Sequence, residues 1–273
     1  MSAQNKSVFE LFDIISNDGV TSVDLVRGVI SFSYYENILS PMITAKAIIV
    51  NTGFTIEDKD GEMSSIYNGL PLNGGEKVNI KIPSSGLGPD MEFTEKNGNE
   101  LYVSSITNVL IDAERESFVL NLVSREAITN ETQRVGSKFP SSQKISDSVK
   151  EIIKKSLLSE KNIDVDDTQN PYGFYGNLKK PFYLLTWLAS KSVPAEIGGK
   201  SATAGYFFFE TKEGYHFRSV DSLVSGVPFE REYTYSPGIV DNLDPDKDYK
   251  ILEFTTTRNQ KLIENLQKGS YCS

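Results

Sequence analysis

Few residues of this chain have the type and spacing that catalysis or metal binding requires. It contains one histidine, His216, and one cysteine, Cys272, among 273 residues. A zinc site of the usual kind needs several His or Cys ligands close together, and a serine-type triad would have to be built on His216 alone. Neither residue has motif neighbours. The sequence therefore predicts no catalytic residue and no metal ligand at these positions.

Residues 197–201 (IGGKS) resemble the second half of a phosphate-binding loop, whose backbone amides cradle phosphate groups. The first glycine of that motif would fall at position 194, which is Pro194. A predicted helix also precedes the segment, where the motif requires a strand. We interpret it as a connector between a helix and a strand, and no cofactor is expected.

Three carboxylates, Asp244, Asp246 and Asp248, have the spacing of the first ligands of a calcium loop. The glycine that such a loop needs for its sharp turn is replaced by Tyr249, and the twelfth position holds Thr255 instead of an acid. The pattern indicates a solvated turn and predicts no metal site.

Other carboxylates occur in pairs, such as Asp166 with Asp167 and Glu114 with Glu116, and residues 58–61 (DKDG) are typical of a hairpin turn. Paired acids cleave glycosidic bonds only when they face each other across a cleft, which spacing alone does not show. No motif indicates an enzymatic activity, and we therefore predict that the protein is not an enzyme.

The composition is that of a globular protein, with 38% hydrophobic and 24% charged residues. Its longest apolar stretch, residues 182–189, is much shorter than the roughly 20 residues of a membrane-spanning helix. A single cysteine excludes an intrachain disulfide framework and fits a reducing compartment. We expect a protein that is made and assembled in a cytoplasm without a membrane anchor.

The net charge of −9 is unevenly distributed. Residues 1–125 hold 9 Lys/Arg and 17 Asp/Glu, whereas the remainder holds 19 and 20. An acidic surface repels nucleic acid phosphates. Specific binding of nucleic acid by the first half is therefore not expected.

Residues 1–125 show the period-two alternation of strands with one buried face. In residues 28–34 the alternation places Ile30, Phe32 and Tyr34 on one side of the strand. Pro41 ends the polar break that follows, which is either a hairpin connection or a subunit-interface loop. Turn signals separate this run from others. The further predicted strands cover residues 42–50, 78–82, 101–110 and 117–123. The pattern predicts one closed or sandwich-like β-domain.

Residues 126–230 predict a small α/β domain with two helices. The first follows Ile145, with Ser146 or Ser148 as its N-terminal cap and Glu151 completing a capping box with Ser148. The second covers residues 181–192 and starts at a proline. Residues 206–210 and 215–220 predict a hairpin whose turn is Lys212, Glu213 and Gly214.

Several segments together resemble the baseplate central hub proteins of contractile-tailed, T-even-like bacteriophages. Residues 22–53 (SVDLVRGVISFSYYENILSPMITAKAIIVNTG) and 67–82 (YNGLPLNGGEKVNIKI) carry the N-terminal part of this resemblance. It continues through residues 118–130 (FVLNLVSREAITN), the helix that begins KISDSVKEI, and residues 179–194 (KKPFYLLTWLASKSVP).

The resemblance implies a β-rich α+β fold: a first tail-tube-like β-barrel over 1–125, an inserted small α/β domain over 126–230, and the start of a second tube-like β-barrel over 231–273. It implies a structural virion protein, a homotrimer that adapts the sixfold tail tube to the threefold spike and forms part of the DNA conduit. The implied partners are the tail tube or a tube-initiator protein, the spike protein and baseplate wedge proteins. DNA would pass through without specific binding.

Residues 231–273 predict too few elements to close a barrel: strands over 232–235 and 250–257 and a helix over 258–268. We therefore expect the native chain to continue past Ser273, with a shortened hub as the alternative. Two other classes stay open for the whole protein. One is a tail-associated lytic or carbohydrate-active enzyme, and the other is a receptor- or glycan-binding module.

Overall fold

The computed structural model describes residues 8–52, 56–57, 63–70, 72–84, 90–112, 115–195, 205–225, 232–235 and 248–251. The chain forms two compact units, the first of residues 1–85 and 89–226 and the second of residues 86–88 and 227–273. Among the described residues, no helix is long and apolar enough to cross a membrane.

The strands of the first part of unit one begin and end as follows: β1 Leu11–Ile15, β2 Ser22–Asp24, β3 Val29–Tyr35, β4 Thr44–Thr52, β5 Ile56–Glu57, β6 Met63–Ser64, β7 Lys77–Ile82, β8 Met91–Phe93, β9 Leu101–Ile111 and β10 Arg115–Ser124. A short helix, α1 (Ile66–Gly69), precedes β7, and a 3-10 turn, Glu95–Asn97, follows β8. Eight of the strands form one antiparallel sheet in the order β2-β1-β7-β9-β10-β4-β3, with β8 paired to β7; β5 and β6 pair separately.

The core of this sheet follows from the alternation in its central strands. In the β4–β10 pair, Ile49 lies opposite Phe118 and Ala47 opposite Leu120. All four side chains are buried in one apolar cluster. Their apolar faces match only in this register, since a shift of one residue would turn both rows towards solvent.

The sheet is strongly curled. Phe12 on β1 and Phe32 on β3 are separated in the sheet order by four strands, which in a flat sheet would place them about 24 Å apart. Their ring centroids lie 6.2 Å apart in an edge-to-face contact. Strands β2 and β3 are not paired with each other, so the described sheet is an open half-barrel.

One predicted strand face was wrong. Ile30 is 66% exposed, whereas Phe32 and Tyr34 pack against the core. The register of β3 against β4 shifts between Val29 and Ser31. Such a bulge puts two residues opposite one and reverses the alternation beyond it, so Val29 faces the core in place of Ile30.

The second part of unit one contains the following elements: α2 Arg125–Thr132, β11 Lys138–Phe139, α3 Ile145–Lys155, β12 Ile163–Val165, β13 Phe174–Tyr175, α4 Pro181–Ala189, β14 Tyr206–Thr211, β15 Gly214–Ser219 and α5 Val220–Ser225. Strand β12 runs parallel to β15, which pairs antiparallel with β14, and β11 pairs with β13. These elements enclose a second apolar cluster, and we call them the α/β lobe.

The predicted cap of α3 was wrong. The helix begins at Ile145, and both Ser146 and Ser148 are buried inside it. Its first turn is capped from a distance, because the Ser146 N–H donates to Thr168 Oγ1 at 3.1 Å. Glu151 accepts a bond from the Gln143 amide instead of closing a capping box.

Helix α4 begins at Pro181, as the sequence predicted, and ends at Ala189, three residues before the predicted end. Its first turn also has a distant partner, since the Phe182 N–H donates to Asn130 Oδ1 on α2 at 2.8 Å. The β14–β15 hairpin is confirmed, with Lys212 and Glu213 in its turn.

In the second unit the described residues form β16 (Glu232–Tyr235) and β17 (Asp248–Ile251), which pair in parallel. Strand β16 has the bounds predicted from the sequence, and β17 starts two residues before the strand predicted over 250–257. The predicted helix over 258–268 lies outside the described residues, as does Ser273.

Candidate functional site

A buried ionic cluster joins the sheet to the α/β lobe. The ammonium group of Lys161 lies 2.6 Å from Glu210 Oε1 and 2.9 Å from Glu126 Oε2. Both carboxylates are fully buried, and the Lys161 side chain is 7% exposed. The three residues come from α2, the segment before β12, and β14.

Glu210 is the residue that reaches the sheet. Its Oε2 accepts the Ile43 N–H at 2.9 Å, just before β4, and the Ser124 hydroxyl at 2.7 Å, at the end of β10. Glu126 in turn accepts the Ser159 hydroxyl at 2.6 Å. One buried carboxylate therefore holds the adjacent ends of β4 and β10 against the lobe.

Two glutamates share the Lys161 ammonium in this cluster, and the Arg125 guanidinium lies 3.7 Å from Glu126 Oε1. Burial opposes ionisation of Glu126, but the attraction of Lys161 and the bond from Ser159 outweigh it and lower the pKa of Glu126. Burial would lower the pKa of Lys161, yet its two carboxylates raise it. Burial dominates at Glu210 and raises its pKa. Burial, followed by the nearby carboxylates, also raises the pKa of Tyr215, which keeps that phenol neutral.

A second set of contacts between the sheet and the α/β lobe lies at the turn of the β14–β15 hairpin. The Lys212 N–H donates to Glu36 Oε1 at 2.6 Å, and Glu36 also accepts the Tyr34 hydroxyl at 2.6 Å. The Lys212 ammonium donates to the Asp90 carbonyl at 2.7 Å, and Asn99 donates to the Lys212 carbonyl at 3.3 Å. The break after β3 connects the antiparallel strands β3 and β4, and it also contacts the lobe.

His216 lies in the one arrangement that resembles a catalytic triad within the described part of the chain. Its Nε2 is 2.8 Å from Thr211 Oγ1, and its Nδ1 is 3.5 Å from Asp164 Oδ2. Asp164 is held more closely by Arg218, at 2.5 Å. The Thr211 hydroxyl accepts the Glu213 N–H, which makes it part of the hairpin turn. His216 also stacks on Phe209 at 5.0 Å. These contacts connect the hairpin turn to β12 and β15.

The other residues that the sequence singled out serve the backbone or lie outside the described chain. Asp166 Oδ2 accepts the Ser219 N–H at the end of β15 and the Ser222 hydroxyl in α5. Glu116 accepts the N–H of Ile66 at 2.7 Å. Residues 58–61, 197–201, Glu114, Asp244, Asp246 and Cys272 lie outside the described residues. Within the described part, no group of three or more His, Cys, Asp or Glu could hold a metal ion.

The glycine-rich segment before β7 is a structural turn. Glu76 is buried, and its carboxylate accepts the N–H groups of Asn73 and Gly74 at 2.7 and 3.0 Å. Asn17 donates to the Gly74 carbonyl at 3.1 Å. This turn therefore positions β7 against β1.

On the face opposite the core, four strands of the sheet carry a mixture of polar and apolar side chains. Cross-strand rows on β3, β4, β10 and β9 place uncharged side chains beside one cation, Lys46. Asn121 donates to the hydroxyls of Ser105 and Thr107 at 3.1 and 3.3 Å. The rows consist of Ser33, Lys46, Asn121 and Ser105, and of Ser31, Ile48, Val119 and Thr107.

Sequence reasoning missed the ionic cluster. Glu210 had a weak signal, because it ends the apolar run 206–209 at a position where a core residue is expected. Lys161 and Glu126 had none, since each stands in a polar stretch.

No protein-family model and no curated protein matches the chain. Among solved structures, the chain is similar to the 43 kDa tail protein of prophage MuSo2 from Shewanella oneidensis, with 10% identity and a TM-score of 0.48 over 76% of this chain and 54% of that one. It is similar to prophage tail protein gp18 from Listeria monocytogenes, with 9% identity and a TM-score of 0.42 over 82% and 53%.

A third similar structure is an Escherichia coli component of the type VI secretion system, described as structurally similar to the T4 bacteriophage tail proteins gp27 and gp5. It has 8% identity and a TM-score of 0.38 over 86% of this chain and 51% of that one. The chain spans about half the length of each of these proteins. The chain has a β-rich α+β fold built on a curled half-barrel sheet.

Proposed function

We propose that this chain is a structural component of a phage tail, and more specifically the central hub of a contractile-tail baseplate. One observation carries the proposal: the curled sheet is filled by its own side chains and ends in two strands, β2 and β3, that have only one strand neighbour each within the described chain. Unpaired edges invite pairing with another chain. A filled half-barrel with open edges suits a wall in an assembly better than a container for a small ligand.

The sequence resemblance supports the same function. Its first segment, residues 22–53, supplies β2, β3 and β4, and thus both edge strands. Its third segment, residues 118–130, contains Glu126 and Ser124 of the ionic cluster. The hub-like residues therefore include two of the residues that join the sheet to the α/β lobe.

In this proposal three copies form a ring that adapts a sixfold tail tube to a threefold spike. Residues 1–125 form a first tube-like domain, 126–230 the inserted α/β domain, and 231–273 the start of a second tube-like domain. The tail tube or its initiator binds on one side and the spike on the other, with wedge proteins at the periphery. The protein is assembled in the host cytoplasm and works in the virion.

The ring would also form part of the conduit for DNA. A conduit must not bind DNA, because adhesion would stall its passage. The acidic excess of residues 1–125 suits this role. We expect no measurable binding of duplex DNA by the assembled protein at low salt, where phosphate contacts are strongest.

The test is the mass and symmetry of the purified protein. Light scattering should give a trimer, and negative-stain images should show threefold rings. A monomer at all concentrations would contradict the hub. Lysis of host envelope in a zymogram would favour the enzyme instead, and capture of a host glycan by the isolated chain would favour the binding module.

A further inference from the structure

An exposed patch on the α/β lobe combines lysines with apolar side chains. Leu178 is 70% exposed, Tyr175 58% and Tyr183 55%. The Lys138 ammonium lies 5.4 Å above the Tyr175 ring, and the Lys179 ammonium lies 5.5 Å above the Tyr183 ring. We call these five residues the lysine–tyrosine patch. Large side chains exposed together mark interaction surfaces.

The turn that carries Leu178 is rigid. Asn177 and Leu178 have φ angles of 48° and 53°, which side chains other than glycine adopt at a cost. The Leu178 N–H donates to the Val135 carbonyl at 3.0 Å, and the Lys179 N–H donates to the Gly176 carbonyl at 2.9 Å. A Cβ at Gly176 would lie 2.2 Å from the Val135 carbonyl oxygen, so this turn fits only glycine there. The backbone thus holds an exposed leucine in place before any partner binds.

The two lysines of the patch are free to pair with outside acids. Within the described chain, neither Lys138 nor Lys179 forms an ion pair, whereas the adjacent Lys180 pairs with Glu131. An ammonium group that lies over an aromatic ring still has N–H donors that can reach a carboxylate of another molecule.

A complementary surface lies on the edge of the sheet. Asp13 on β1 lies directly opposite Asp24 on β2, and like charges in that position destabilise a strand pair. Burial, followed by the charge of Asp24, raises the pKa of Asp13. Among the described residues neither carboxylate has a cationic partner. The chain thus carries two free lysines at one surface and two uncompensated carboxylates at another.

We propose that the lysine–tyrosine patch of one copy docks on the β1–β2 edge of a second copy, with Lys138 and Lys179 facing Asp13 and Asp24. This inference rests on the proposed function, because a ring requires contacts between copies. The contact joins two different surfaces, so it is heterologous, and such contacts close into rings when the rotation allows. Leu178 and the tyrosines supply its apolar centre, and the charges fix its register.

The test reverses one charge on each surface. We expect Lys179→Glu and Asp24→Lys each to weaken self-association by about tenfold or more in sedimentation analysis of the full chain. The double variant that carries both Lys179→Glu and Asp24→Lys should recover association, because the carboxylate introduced on the patch of each copy then faces the ammonium group introduced on the edge of the next copy. Lys154→Glu makes the same charge change at an exposed position of α3 and should leave association unchanged.

A second variant separates association from folding. Leu178→Asn removes the apolar side chain and places at φ 53° a residue that tolerates this conformation. Its thermal stability should be equal or higher, while its self-association falls. A purely structural role of Leu178 would change stability alone.

Two results would overturn the inference in distinguishable ways. A trimer that withstands Lys179→Glu and Asp24→Lys unchanged would refute this contact and leave the proposed hub intact. A wild-type chain that is monomeric at every concentration would refute both.

Discussion

The Lys161 ammonium and the Glu210 carboxylate meet at 2.6 Å in the interior of the first unit, and Glu210 accepts the Ile43 N–H with its other oxygen. A single ion pair therefore links the α/β lobe to the start of β4. Buried ion pairs contribute little net stability compared with apolar packing, but removing one partner is costly. We infer that this contact mainly fixes the orientation of the lobe on the sheet.

The first prediction concerns Lys161. Lys161→Met leaves Glu210 buried without a cation and leaves Glu126 with only the more distant Arg125, at 3.7 Å, so we expect the free energy of unfolding to fall by about 3–5 kcal/mol. Urea denaturation measures this. The control is Lys155→Met, which removes an exposed pair with Glu151 and should change stability by no more than about 0.5 kcal/mol. Equal effects of the two variants would contradict a special role for Lys161.

The second prediction concerns the acid dependence of the same cluster. The folded-state pKa of Glu126 is lowered, so its contribution to stability is present above its unfolded pKa and is lost as the pH falls below it. Glu126→Gln should cost most at neutral pH, and the difference from wild type should shrink as the pH falls below about 4.5. Denaturation at a series of pH values measures this difference.

The control is Glu160→Gln, at an exposed residue without an ion pair in the described chain. Its effect on the free energy of unfolding should be small. If the cost of Glu126→Gln stayed constant from neutral pH down to the most acidic pH at which the protein folds, the ion pair with Lys161 would not be the cause.

The third prediction concerns the two opposed carboxylates of β1 and β2. The folded-state pKa of Asp13 is raised by burial and by Asp24, so stability from this group is highest below its unfolded pKa and is lost as the pH rises. Asp24→Asn removes the like charge but keeps an oxygen to accept the Val26 N–H. It should lower the pKa of Asp13 and stabilise the dilute protein at neutral pH by about 0.5 kcal/mol.

NMR titration of the Asp13 carboxyl measures the first effect and thermal unfolding the second. An unchanged Asp13 titration in the Asp24→Asn variant would show that burial alone sets its pKa.

The fourth prediction separates two neighbouring tyrosines of β3. Tyr34 packs on Phe93 at a centroid distance of 5.0 Å and donates to Glu36, so Tyr34→Ser should destabilise the fold. Tyr35 is 53% exposed at an edge strand, so Tyr35→Ser should leave stability nearly unchanged. If the edge is an interface, Tyr35→Ser should weaken trimer formation. Light scattering that shows an intact trimer for Tyr35→Ser would exclude β3 from the interface.

Local patterns in the sequence determined much of the fold. Alternation in residues 78–82, 101–110 and 117–123 predicted β7, β9 and β10, because a strand with one buried face must alternate. Pro181 marked the start of α4, since proline fits the first helical turn. The scarcity of reactive residues was also visible in the composition.

Other features were decided only by contacts between distant residues. The bulge at Ile30 follows from the register of β3 on β4, and the cap of α3 comes from Thr168, twenty-two residues away. The ionic cluster of Glu126, Lys161 and Glu210 depends on three segments meeting in one place. Local sequence specifies which residues favour a strand or a helix, whereas a buried charge finds its partner only when the chain has packed, because the cost of desolvation arises there.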